Sequence, residues 1–397
     1  MRFLVAAFGD PGHVFPAIAL GLALAEREHE VTIETWEERR EAVEGAGLSF
    51  AAAEEYRMFP PPDPDSEEGA HAAEAARALL PLLEEMRPHA VVSDILTLAP
   101  TLAAEVAGVP RATLIPHIYP VVAPGLPFFA VGLRAPRTPL GRGVWRAGQR
   151  ALEVGLEQGR RDLNRQRVRL GLPPTERFHG GISPDLALVG TFPQLEYPRR
   201  WPAGVEVTGP MSFEVPHPEI ELPAGVEPLV LVAPSTAHDS RNHLVRTALA
   251  ALADEPVRVV ATTNRVVPQT PIEVPDNAIL VDWLSYSQLM PVASLIVSHG
   301  GHGTAARALA AGTPLLISPF IGDMSETAMR VSWAKAGLSL PRRLCRPAPL
   351  RWAARRILGD PSFAARAAEL ATWARDHDGA ARGAELVEQL AQVRVYT

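Results

Sequence analysis

Val297-Ser298-His299-Gly300-Gly301-His302-Gly303-Thr304 leaves an apolar run, residues 295–298, and enters a helical pattern at Gly303. Three glycines let a ligand approach the main chain closely, and a helix start offers N–H groups without intrahelical partners at the positive end of its dipole. That combination suits a diphosphate. His299 is placed to donate a hydrogen bond to a phosphate oxygen, and the Thr304 hydroxyl to do likewise at the first turn. A tight strand-to-helix turn with no ligand makes the same local demands, so the flanking sequence has to decide between the two.

Outward from this stretch the same alternation repeats. Apolar runs at 229–233, 257–262, 278–281 and 314–317 read as buried strands, with a helical pattern over 241–253. The first half has the same rhythm. A run at 3–8 meets Gly9-Asp10-Pro11-Gly12, and a helix over 14–28 follows, with Ile18, Leu22 and Ala25 on one face; further strand signals fall at 31–35, 90–93, 112–115 and 186–189. Apolar strands alternating with helices predict an α/β chain with parallel sheets covered on both faces. After the Pro-rich stretch 193–202, the proline-punctuated segment 207–228 reads as a linker and sets the organisation as 1–214, 215–375 and a C-terminal helix, 376–397, packing back on the first domain. Two long Pro-rich segments, 54–68 and 116–140, follow predicted strands and should lie over the carboxyl edge of the first sheet, where open α/β folds bind ligands.

Bulk composition narrows the function. A chain of 397 residues suits two domains of roughly 150–200 residues each. Net charge is −7 with no basic tract, which argues against nucleic acid as a partner. Cys345 is the single cysteine, which excludes an intramolecular disulfide or a thiolate metal cluster and fits a cytoplasmic location. No apolar stretch reaches the roughly 18 residues of a membrane span, and the N-terminal run reads as a strand, not a signal peptide.

Around the glycine stretch, Asp282-Trp283-Leu284 ends a strand at the same sheet edge, where an indole either stacks on a nucleobase or fills the core. Pro319-Phe320-Ile321-Gly322-Asp323-Met324 ends the next strand, and Asp323 there either accepts hydrogen bonds from sugar hydroxyls or caps a helix. His13 sits between the first strand and first helix, where the dipole disfavours the imidazolium and leaves a neutral base. Asp94 ends a strand at the same edge and can hold the other ring nitrogen, fixing the tautomer.

In order and spacing, Asp282 to Leu284, Ser298 to Thr304, Ala310-Ala311-Gly312-Thr313-Pro314 and Pro319 to Asp323 resemble the donor-binding signature of inverting GT-B-fold glycosyltransferases, the family of plant secondary-product and actinobacterial antibiotic-tailoring enzymes. Gly12-His13-Val14-Phe15-Pro16 and Val91-Val92-Ser93-Asp94 extend the resemblance to the first half. It implies two Rossmann-like domains facing each other across a cleft, and a UDP- or TDP-linked sugar as donor. His13 becomes the general base, oriented by Asp94. The implied donor set is Thr236, Trp283, His299, Gly300, Gly301, His302, Gly303, Thr304, Asp323 and Met324. Phe59, His117, Tyr119, Phe128 and Phe129 on the two long loops suggest a small apolar or aromatic acceptor such as a secondary metabolite, with a homodimer allowed as a further assembly.

The resemblance implies no metal or other cofactor. Asp63-Pro64-Asp65, His238-Asp239 with His243, and Asp376-His377-Asp378 read as a loop, a helix start and a solvated helix end. Met324 stands where the family commonly has a Gln toward the sugar, and Arg307 where many members have a Glu toward the ribose, which points to a deoxysugar on a thymidine nucleotide. Gly12 to Pro16 also resembles a lipid-carrier N-acetylglucosaminyltransferase, but that family's donor loop and basic docking surface are not found. A non-catalytic nucleotide-binding relative, or an epimerase of the same fold, is the remaining alternative.

Overall fold

The apolar runs feed two separate parallel sheets, one in each half of the chain. The computed structural model describes residues 1–53, 71–235, 239, 241–320 and 322–393. The first half runs β1 (Arg2–Ala6), α1 (Pro11–Ala25), β2 (Glu30–Thr35), α2 (Arg40–Gly45), β3 (Ser49–Ala52), α3 (His71–Met86), β4 (Ala90–Asp94), α4 (Leu98–Val106), β5 (Arg111–Ile115), α5 (Pro139–Arg169), β6 (Leu186–Val189) and β7 (Val205–Val207). Its strands lie in the order β3-β2-β1-β4-β5-β6-β7.

The second half runs β8 (Leu229–Ala233), α6 (His243–Leu252), β9 (Arg258–Thr262), β10 (Ala278–Val281), α7 (Tyr286–Leu289), β11 (Leu295–Ser298), α8 (His302–Ala310), β12 (Leu315–Ile317), α9 (Asp323–Trp333), β13 (Gly337–Ser339), α10 (Pro347–Leu358), α11 (Pro361–Asp376) and α12 (Gly379–Val393). The order here is β10-β9-β8-β11-β12-β13. Every pairing in both sheets is parallel, so central strands such as β1, β4, β8 and β11 are buried on both faces and show as unbroken apolar runs.

Three strands escape the sequence pattern: β3, β7 and β13 are short edge strands, and β7 ends where the stretch read as linker begins. Each pairs on one side only, so it needs little apolar sequence. The 31-residue α5 is also unforeseen; among its residues only Leu163, Gln166 and Arg167 are buried, which leaves it almost no apolar stripe to read.

The two halves share packing. Ile118, Phe192 and Leu195 from the first lie in one apolar cluster with Leu231, Ala305 and Ala328 from the second. Beside it, the buried Arg330 of α9 bonds Glu326 at 2.7 Å, Glu196 at 3.2 Å and the Leu195 carbonyl at 3.0 Å, with its guanidinium 3.5 Å over the Tyr197 ring. Burial pushes the Glu196 carboxyl up, against the pull of Arg330. Its other oxygen accepts from the main-chain N–H of Tyr119, which ties the loop after β5 to α9. Finally, α12 lies on α1, with Ala384, Val387 and Ala391 in the same core cluster as Ile18 and Leu20. The chain enters α12 through Gly379, whose added Cβ would meet the Gly209 carbonyl oxygen at 2.4 Å.

Candidate active site

Each sheet has one place where neighbouring strands continue in opposite directions, and a crevice opens there at the carboxyl edge. In the first half it lies between β1 and β4. Leaving β1, the chain turns through Asp10, whose carboxylate accepts from Gly12 N at 2.8 Å and caps α1, and Pro11 opens the helix. That places His13 in the first turn. Asp94, the last residue of β4, meets it across the crevice: His13 Nδ1 lies 2.8 Å from Asp94 Oδ2. Asp94 Oδ1 accepts from Leu96 N at 2.9 Å, so the carboxylate is held at both oxygens. A carboxylate accepts, so Nδ1–H donates and the neutral ring keeps its lone pair on Nε2.

The electrostatics correct one expectation. Position at a helix start leads one to expect a disfavoured imidazolium, but the structure gives the opposite sign. Burial does work against the charge; the Asp94 carboxylate, with Asp10 and Asp323 adding, outweighs it and holds His13 above the ordinary histidine value. His13 is therefore a stronger base than a free imidazole and needs a higher pH to be neutral. Its neighbour His117 is shifted down, by burial and by the charge on His13.

Aromatic rings enclose the pair. Phe8 and His117 each meet His13 edge-on at 6.0 Å, Phe129 stacks on His117 at 5.6 Å, and Trp36 meets Phe8 at 4.7 Å. Trp36 lies on the Gly9 main chain, where a Cβ would come within 2.2 Å of the indole. Phe8 and Trp36 line this enclosure and were missed by sequence reasoning, although Phe8 ends one predicted strand and Trp36 follows another.

The second crevice lies between β8 and β11. His299 follows β11 and its Nδ1 lies 3.2 Å from the Ala233 carbonyl at the end of β8, which turns Nε2 toward Gly301. A Cβ on Gly301 would sit 2.6 Å from that Nε2, and one on Gly300, at φ +97°, would sit 2.9 Å from Ile317 Cγ2 and from the Met324 carbonyl. Gly300 is thus required by the packing, while a side chain on Gly301 would displace the His299 ring. Gly303 faces open space at the first turn of α8, beside the half-exposed Thr304, and no side chain caps this helix. The site meets the requirements of an anion cradle: close main-chain approach and free N–H groups.

The remaining predicted residues divide. Asp323 is exposed at the start of α9, and its charge reaches both His13 and His117 from the opposite half. Trp283 is half-buried, with the Arg265 guanidinium 4.7 Å from its ring. Met324 is only 7% exposed and packs against Gly300. His302 is also buried, its ring hydrogen-bonded at neither nitrogen within normal distance and pushed to a pKa of about 3 by burial and by His117. Its side chain is turned to the joint between the halves, which leaves its main chain to the cradle.

Tyr119 is buried beside Arg199 and Trp201, and Phe128 packs edge-on against Trp145 of α5; Phe129, not Phe128, stacks on the His117 ring that meets His13. Phe59, Thr236 and the Asp63–Asp65 pair lie outside the described residues. Arg307 donates to the Phe213 carbonyl of the linker. Asp239 caps α6 through His243 N and Leu244 N, and Asp378 caps the start of α12 through Ala380 N and Ala381 N, where the sequence reads a helix end. Among the described residues, no three His, Cys, Asp or Glu side chains converge in a way that would hold a metal ion. No helix among them is long and apolar enough to cross a membrane.

Known proteins match in both halves. Residues 3–113 match the family "Glycosyltransferase family 28 N-terminal domain", and residues 246–392 match "Erythromycin biosynthesis protein CIII-like, C-terminal domain". The chain is 29% identical to 4'-demethylrebeccamycin synthase of Lentzea aerocolonigenes, with 98% of this chain and 99% of that protein aligned. It is also 29% identical to O-mycaminosyltylonolide 6-deoxyallosyltransferase of Streptomyces fradiae, over 99% of this chain and 98% of the relative. The crystal structure of glycosyltransferase VinC in complex with DTDP superposes with a TM-score of 0.72 at 21% identity, covering 99% of this chain and 100% of that one, and shares the fold. Two facing Rossmann-like domains of GT-B type, matched over both halves by glycosyltransferase families, place the chain among the UDP/TDP-glycosyltransferases of the actinobacterial tailoring type.

Proposed function

We propose that this glycosyltransferase moves a sugar from a nucleotide diphosphate to a hydroxyl of a small, largely apolar acceptor, with inversion at the anomeric carbon and without a metal ion. The observation that carries the reading is the His13–Asp94 bond at 2.8 Å, set in an aromatic enclosure that the charge of Asp323 reaches from the facing half. His13 Nε2 takes the acceptor proton as the oxygen attacks the anomeric carbon, and Asp94 stabilises the imidazolium that forms. The bond from that carbon to the diphosphate breaks on the opposite side. Negative charge developing on the leaving group is met by the N–H groups at the start of α8 and by the Thr304 hydroxyl, with His299 beside them.

A deoxysugar on thymidine diphosphate is the donor favoured here. Met324 turned into the core removes a polar contact to the sugar, and Arg307 engaged with the linker offers the ribose no acceptor. The 6-deoxyallosyl relative and the DTDP complex of a protein of this fold support the same choice. Thermal denaturation with UDP, TDP and GDP tests the reading. At 100 times its Kd a nucleotide should stabilise the fold by about 2.7 kcal/mol, with TDP shifting Tm at the lowest concentration. Absence of a shift with all three nucleotides overturns it.

A further inference from the structure

On the first sheet, away from the face that carries Asp94, a cavity of about 100 Å³ opens at the carboxyl edge between β1, β2, β3 and the helices α3 and α4. Its lining is almost wholly aliphatic: Ala6, Ala52, Ala75, Ala78 and Leu79 are typical. One residue breaks the pattern. Glu34, near the end of β2, lines the cavity with only 8% of its surface exposed, and its Oε2 is fully buried without a hydrogen-bond partner. A buried carboxylate without a hydrogen-bond partner among the described residues is costly, so it either keeps its proton or takes a cationic partner from outside the chain. A second buried oxygen without a partner lies on the same sheet face: Ser93 Oγ, separated from Glu34 by the register partner they share, Ala6.

We propose that this cavity is a subsite of the acceptor site that receives a protonated amino group, with Glu34 as its counter-charge. The inference rests on the transferase reading, in which the acceptor lies along this sheet edge. The cavity reaches Ala7, at the end of β1 on the way to His13, and Thr97, whose hydroxyl bonds the Asp94 carbonyl at 2.9 Å. Glu34 lies two strands along from β4, or about 10 Å at the usual strand spacing. An acceptor that crosses the carboxyl edge of the sheet, with its hydroxyl at His13 and its amino substituent on the opposite face, would engage both. An N–H cation is selected because, among the described residues, the cavity offers an acceptor and little else: those lining it, apart from Glu34, are alanines, a leucine, a proline and a threonine, and none of them titrates.

The test uses the full chain with ¹³C-labelled alanine methyls, titrated with n-propylammonium chloride and separately with 1-propanol, its neutral counterpart. The expected result at pH 8 is saturable movement of the Ala6, Ala52 and Ala78 methyls with the ammonium ion, at least tenfold weaker with the alcohol and lost in Glu34→Gln. Wild-type protein at pH 5, where Glu34 carries its proton, should likewise lose the response, which supplies the control should the variant not fold. Equal response to the alcohol, a response retained at pH 5 or in Glu34→Gln, or none at all overturns the proposal. Binding of TDP to the wild type, followed in the same samples, reports on the transferase reading separately.

Discussion

The two halves use one topology to opposite ends. Both place a crevice at the point where strand order reverses, between β1 and β4 in one and between β8 and β11 in the other. In the second half the crevice is lined by main chain: glycines whose added Cβ atoms would strike His299 or Met324, and a helix start without a cap. In the first half it is lined by side chains, an ion-paired imidazole among aromatic rings. Main-chain N–H groups suit a ligand part that is always the same, a diphosphate; side chains suit one that differs from enzyme to enzyme. The shared scaffold therefore permits acceptor choice to change without disturbing the donor.

If this division of labour holds, damage to one half should leave the other's task intact. The largest effect is expected for His13→Ala, which should lower transfer by ~10²- to 10⁴-fold, with TDP affinity by calorimetry unchanged; a parallel loss of nucleotide binding would break the comparison. Arg330→Met strikes the joint instead of either site. It strands Glu196 and Glu326 as buried carboxylates, and should cost about 3–5 kcal/mol in denaturant unfolding. Glu34 offers a test confined to the first half. Burial raises its pKa from 4.5 to about 7, so the folded state holds its proton more tightly than the unfolded chain. Stability should fall as pH rises from about 4.5 through 7, by roughly 3 kcal/mol at completion, and Glu34→Gln should lack that fall. Thermal melts of the two proteins from pH 5 to pH 8 read the difference. Gly301→Ala is the mirror of the first experiment: it should weaken TDP binding about tenfold, or 1.4 kcal/mol, while leaving the pH dependence of Glu34 untouched.

The same division explains what sequence could reveal. The core strands of both sheets were legible because burial on two faces forces unbroken apolar runs, as at Leu229–Ala233 and Leu295–Ser298. The glycine cradle was legible because main-chain approach demands glycine at fixed positions. His13 and Asp94 were legible as a pair, 81 positions apart, because each follows a strand of the same crevice. The sign of the His13 shift was not, since it is the outcome of burial set against the Asp94 carboxylate, with Asp10 and Asp323 adding. Nor was the choice between Phe128 and Phe129, or the burial of Tyr119: within an irregular loop no periodicity says which ring turns inward. Glu34 passed unnoticed for a related reason, because a single acidic residue near a strand end carries no sign that its neighbours on four other elements are almost all aliphatic.

The return of α12 to α1 has a consequence for how this chain is made. Residues Gly379–Val393 leave the ribosome after every strand of both sheets, yet they cover the helix that begins with Pro11 and bears His13. The first domain cannot close its core during its own synthesis and must wait, with Ile18 and Leu20 partly uncovered, until translation has passed the whole second domain. Splitting the gene at the linker would separate two sheets and still fail to yield two self-sufficient proteins.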